Sequence, residues 1–95
     1  MKSIVDNTNY CYVCSHFKMR YVLANHTHHI FGGPNRKLSD ADGLTVRLCT
    51  RCHSQVHDTE NIYYHELHKI GEKAWLEHYH LTIPDFIKRY GKNYL

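Results

Sequence analysis

The chain has 95 residues, 42% of them hydrophobic, with 12 Lys and Arg against 9 Asp and Glu. That apolar content lies far above a disordered chain's, the length allows one domain (1–95) with a thin core, and a formal charge of +3 is too small to mark a nucleic-acid partner by itself. No apolar run is long enough to span a membrane and Met1–Cys14 lacks the apolar centre of a secretory leader, so a cytoplasmic location with reduced thiols is expected.

Residues 1–10 read as a polar lead-in. Cys11-Tyr12-Val13-Cys14 reads as a first metal knuckle. Lys18 to Phe31 reads as extended, with the His-rich stretch His26–His29 on or near a strand. Gly32-Gly33-Pro34-Asn35 breaks it, and a polar loop is expected to run to Asp42-Gly43. Leu44 to Leu48 alternates apolar and polar residues, the signature of a second strand. Cys49 to His57 reads as a second knuckle opening a short helix.

The remainder, 58–95, reads as a helical extension. Tyr63, Leu67, Ile70 and Ala74 recur at three or four residues and make one apolar stripe. Thr82, Pro84 and Asp85 form a helix start, and Gly91 a stop, with Lys88 and Arg89 in the last turn. The fold class expected is α+β: a small zinc-stabilised core over 11–57, followed by C-terminal helices.

Four soft ligands suit tetrahedral Zn²⁺, and each Cys-x-x-Cys turn can place two thiolates on one ion. Cys11, Cys14, Cys49 and Cys52 are therefore expected to hold one structural zinc. The four thiolates and the dication lower the formal charge by two, to +1. Two disulfides or a dithiol redox pair are the competing readings. Resistance to a chelator but not to a reductant would mark the former, and an exposed thiol of low pKa the latter.

Ten histidines cluster rather than scatter. His53 and His57, one helical turn apart, would share a face and could chelate one ion. One of His28 and His29 could complete that second site while its neighbour faces a substrate. The string His28-His29-Ile30, a Gly-rich loop, a strand, then Leu48-Cys49-x-x-Cys52-His53-x-x-x-His57 resembles the HNH endonucleases, which have the ββα-metal fold. His29-Ile30-Phe31-Gly32-Gly33 with Gly43 to Cys49 is further similar to small phage-encoded members and to the HNH part of phage recombination-enhancement, RecA-dependent nucleases.

The resemblance implies a metal-dependent endonuclease that hydrolyses DNA phosphodiester bonds in phage or mobile-element DNA processing or recombination. It implies that His28, His53 and His57 hold a catalytic divalent metal (Mg²⁺, Mn²⁺, Ni²⁺ or Zn²⁺) and that His29 is the general base. An ordinary imidazole titrates near pH 6.5, which suits that role near neutrality. The partners implied are DNA and a recombinase filament or other phage or host DNA-processing protein. The family's middle Asn has no counterpart in Ser39–Leu44, and Asp40, Asp42 or a backbone carbonyl is expected to take its place.

Arg36 and Lys37 on the loop after the histidines, and Arg47 and Arg51 beside the second knuckle, are candidate phosphate contacts. A solvated polar face is the plain alternative for each. His26 should share a strand face with His28, as a spare ligand, a phosphate contact or an ordinary polar residue. Two other functions stay in play: a catalytically inactive zinc-stabilised nucleic-acid-binding or interaction module, and a metal-storage or sensing protein. Metal-dependent plasmid nicking separates the first from the nuclease, and weak reversible zinc affinity would mark the second.

Overall fold

Strands β1 (His26–His29) and β2 (Thr45–Leu48) pair antiparallel in a computed structural model that describes all 95 residues. His26 stands opposite Leu48 and His29 opposite Thr45. The alternation of Thr45–Leu48 puts Val46 and Leu48 into the core. By the same alternation His26 and His28 share one face of the sheet, and His29 takes the other.

Around this hairpin stand five helices: α1 (Tyr12–Phe17), α2 (Arg36–Ala41), α3 (Thr50–Gln55), α4 (Ile62–Tyr79) and α5 (Ile83–Tyr90). The protein is thus α+β, with the sheet and short helices first and the two longer helices last. No helix is long and apolar enough to cross a membrane. The first knuckle is the start of a helix, since Cys11 caps α1 by accepting from the Cys14 backbone N–H.

Three sequence expectations need correction. The expected polar loop before Asp42 is instead a 3-10 turn (Gly33–Asn35) leading into α2. Buried Ser39 explains it: its hydroxyl donates to the Leu44 carbonyl (2.6 Å) and accepts from the Phe31 N–H (3.2 Å), fixing the helix between the strands. The polar lead-in is docked. Ser3 donates to the Thr45 carbonyl (2.6 Å), Ile4 N–H to Gly43 (2.9 Å), and Asp6 accepts from the Arg47 N–H (2.9 Å). Gly43 (φ +75) admits this approach, because a Cβ there would stand 2.7 Å from the Lys2 carbonyl.

The third correction concerns α4. Leu67 is buried, whereas Tyr63, Ile70 and Ala74 are only partly covered. The fully buried face also carries His68, Gly71, Glu72 and Trp75. Gly71 lets α4 lie directly on the end of β1, since a Cβ there would meet Ile30 at 2.8 Å and Phe31 at 3.0 Å.

The last helix, α5, starts and stops as its sequence signals specify. Thr82 and Asp85 form a reciprocal cap, and Gly91 ends α5 in the left-handed conformation (φ +90). One carboxylate then ties both helices to the α2–β2 corner. Asp42 accepts from Trp75 Nε1 (2.9 Å), Arg89 Nε (2.6 Å) and Nη2 (2.8 Å), and the Tyr90 hydroxyl (2.7 Å). Arg89 thus does more than match its helix dipole.

Candidate metal centres and the adjoining cleft

The four cysteines converge from the starts of α1 and α3. None is in a disulfide, and the sulfurs all lie within 4.8 Å of one another. Cys14 Sγ is 3.6 Å from Cys52 Sγ and 4.0 Å from Cys49 Sγ. Four sulfurs held about 2.3 Å from one Zn²⁺ would stand about 3.8 Å apart. The cluster therefore fits a structural metal such as zinc, and its separations are far too long for a disulfide.

Charge supports the same fit. Burial pushes the Cys14 and Cys52 thiols up. At Cys49 burial also acts upward, but the Cys52 backbone N–H and the neighbouring thiols outweigh it and bring the group down to about 7. Cys49 ionises readily while Cys14 and Cys52 resist, and a dication at the cluster is what favours their thiolates. Lys18 Nζ lies 3.6 Å from Cys52 Sγ and offsets part of the remaining negative charge.

Because Cys49 caps α3 and Cys52 lies within it, the thiol cluster fixes the helix that carries His53. His57 follows one turn on, just past the helix end. Nε2 of His53 and Nε2 of His57 are 3.2 Å apart. His28 reaches them from β1, and one nitrogen from each of the three lies within 4.8 Å of the others. Two nitrogens about 2.0–2.1 Å from one ion stand about 3–3.4 Å apart, so this second donor set also fits a metal. Burial, then His53 and His57, bring His28 down to about 3, and burial likewise lowers His53. Both are neutral at pH 7, the form that coordinates.

His29 points away from this triad. Its Nε2 lies 3.2 Å from Asp40 Oδ1, on the last turn of α2. His29 is 17% exposed and Asp40 61%. Of the three candidates to replace the missing Asn, Asp40 is the group beside His29. Asp42 is committed to Trp75, Arg89 and Tyr90.

His26 stacks on His53 with ring centres 4.7 Å apart, and its Nε2 is 3.2 Å from the Thr50 hydroxyl. It stands outside the triad and supports one of its members. A cleft of about 540 Å³ joins His28, His53 and His57 to His29 and Arg36. Lys37, Arg47 and Arg51 do not line it. Arg36 and Lys37 occupy the exposed first turn of α2, Arg51 is exposed on α3, and Arg47 is half-buried with its Nε unpartnered.

The far end of the cleft holds residues that sequence reasoning missed: Tyr64, His68 and Tyr94. Tyr94 is drawn there because its N–H donates to buried Glu72 (2.6 Å), 22 residues away, and no local pattern announces such a contact. Comparison with models of protein families, with curated proteins and with solved structures returns no match.

Proposed function

We propose that the protein is a metal-dependent endonuclease of the HNH type, hydrolysing DNA phosphodiester bonds, with β1, β2 and α3 as its ββα-metal core. One observation carries the reading: a three-histidine donor set and a separate, carboxylate-paired His29 open onto the same cleft. Hydrolysis requires a proton acceptor beside a site that can bind phosphate, and this arrangement supports both.

His28, His53 and His57 would hold the catalytic metal. When bound, that metal supplies Lewis-acid stabilisation for the phosphate and the leaving oxygen. Three imidazoles without a carboxylate suit Zn²⁺ or Ni²⁺ better than Mg²⁺, which prefers oxygen ligands. In the tautomer that donates Nε2–H to Asp40, His29 keeps its lone pair on Nδ1. The proton of an attacking water passes to that atom. Asp40 holds the ring and stabilises the imidazolium that results, while Arg36 at the cleft wall receives a phosphate oxygen. Phage or mobile-element DNA is the proposed setting, with a recombinase filament or other DNA-processing protein as proposed partner.

The test is nicking of supercoiled plasmid across a panel of divalent metals. Wild-type protein is expected to nick with a transition metal, and His29→Ala to lose about 10²–10⁴-fold while keeping both metals. Absence of nicking with every metal would favour the inactive binding module.

A further inference from the structure

The cleft has two chemically different ends. At one stand His28, His53 and His57. At the other, Phe31, Tyr64, His68 and Tyr94 form a cluster of rings. Tyr64 and Tyr94 are half-buried and meet His68 from two sides, with ring centres 4.2 and 4.7 Å away. Phe31 stacks beneath His68 at 5.2 Å, with the rings 13° from parallel.

This end is held rigidly. His68 is only 6% exposed, and its Nδ1 is covered by its neighbours. The ring is therefore a fixed wall that holds Tyr64 and Tyr94 in place. Gly32 also lines the cleft, and a Cβ there would meet nothing within 4 Å, so its backbone borders open space. Tyr94 is held in place by its N–H bond to Glu72, and Lys92 Nζ lies 5.2 Å from its ring centre.

A ligand suited to both ends carries a phosphate and a planar ring that can stack. We propose that the aromatic end is a pocket for an unpaired DNA base adjoining the phosphate at the histidine triad, so that the protein acts on single-stranded or locally opened DNA. A paired base stays in its stack and cannot enter, whereas an unpaired one stacks on half-buried Tyr64 or Tyr94. This inference rests on the nuclease reading for the identity of the phosphate, but not for the pocket itself.

Fluorescence anisotropy with zinc-loaded protein and labelled oligothymidylate tests it. The same strand carrying abasic sites should bind about 10-fold more weakly, and the duplex more weakly than the single strand. The abasic arm alters only the ligand and so does not depend on any variant folding. Tyr64→Ala should lower affinity on the order of 10-fold and Tyr64→Phe should restore it, with zinc content and far-ultraviolet circular dichroism unchanged. Equal binding of normal and abasic strands, tighter binding of duplex, or no binding of any strand overturns the pocket. Base-dependent binding without cleavage would uphold the pocket and remove the nuclease. Cleavage of duplex indifferent to abasic sites would do the reverse.

Discussion

Two ligand clusters meet at the same short helix, α3, and differ in almost every physical respect. The cysteine cluster has four donors, three of them at most 1% exposed. The histidine cluster has three donors, opens onto a cleft, and includes exposed His57. A closed set of four soft donors satisfies a metal and leaves it chemically idle. An open set of three leaves positions for other molecules. The closed centre therefore suits a structural role, with Cys49 and Cys52 fixing α3 so that His53 and His57 meet His28, and under the proposed function the open one would do the chemistry.

That division can be broken most severely at the closed centre. Structural zinc contributes about 10–16 kcal/mol in small domains, as much as the whole stability of a typical one. Chelation, or Cys14→Ala, is expected to abolish the folded circular-dichroism spectrum. A folded protein after complete zinc removal would assign stability to the core instead. At the open centre the same operation should act differently. His28→Ala is expected to reduce bound metal from two ions per chain to one, by elemental analysis, with the fold retained. Loss of both metals, or of the fold, would show that the two centres are not separable.

Legibility in the sequence followed the range of the interactions. The Cys-x-x-Cys spacings, the alternation of Thr45–Leu48 and the Thr82, Pro84, Asp85 and Gly91 signals act within a few residues, and each matches the element found there. His53 and His57 were readable as a pair from their spacing after Cys52, whereas the choice of His28 over His29 as their partner rested on the resemblance to HNH endonucleases. Helix α2 was not readable. Arg36–Ala41 contains two apolar residues, Leu38 and Ala41, too few to set a period, and the Ser39 contacts that hold it reach Phe31 and Leu44, just outside the two strands. The stripe drawn through α4 missed His68 and Glu72, because hydropathy ranks them as surface residues while Phe31 and Tyr94 bury them. The aromatic end of the cleft was invisible for the same reason.

A smaller effect separates the cleft floor from both metal centres. Burial brings His68 down to about 4 in the folded protein, against about 6.5 for a free imidazole. Above pH 6.5 both states are neutral and His68 adds no pH dependence. Below it the unfolded chain takes up the proton first, so stability is full above about 6.5 and falls as pH drops toward 4. The loss amounts to about 3 kcal/mol at its limit. Urea midpoints measured for wild type and His68→Phe should diverge over that window, the variant being the less acid-sensitive. Parallel curves would place a charged partner beside His68.

The smallest expected effect lies at Asp40, between the open centre and solvent. Asp40 is 61% exposed, so its bond to His29 contributes little to stability. Its value is orientation: by accepting from Nε2 it selects the tautomer with Nδ1 free. Asp40→Ala should leave metal content and melting temperature unchanged and slow nicking about 10-fold, as loss of an orienting partner commonly does. Asp40→Asn should recover most of the rate, because an amide oxygen can accept the same hydrogen bond, although without the charge that stabilises the imidazolium. The two substitutions thus separate orientation from charge. If Asn and Ala are equally slow, charge is what matters. If neither slows the reaction, His29 is oriented by the strand alone, and the open centre depends on the closed one still more completely.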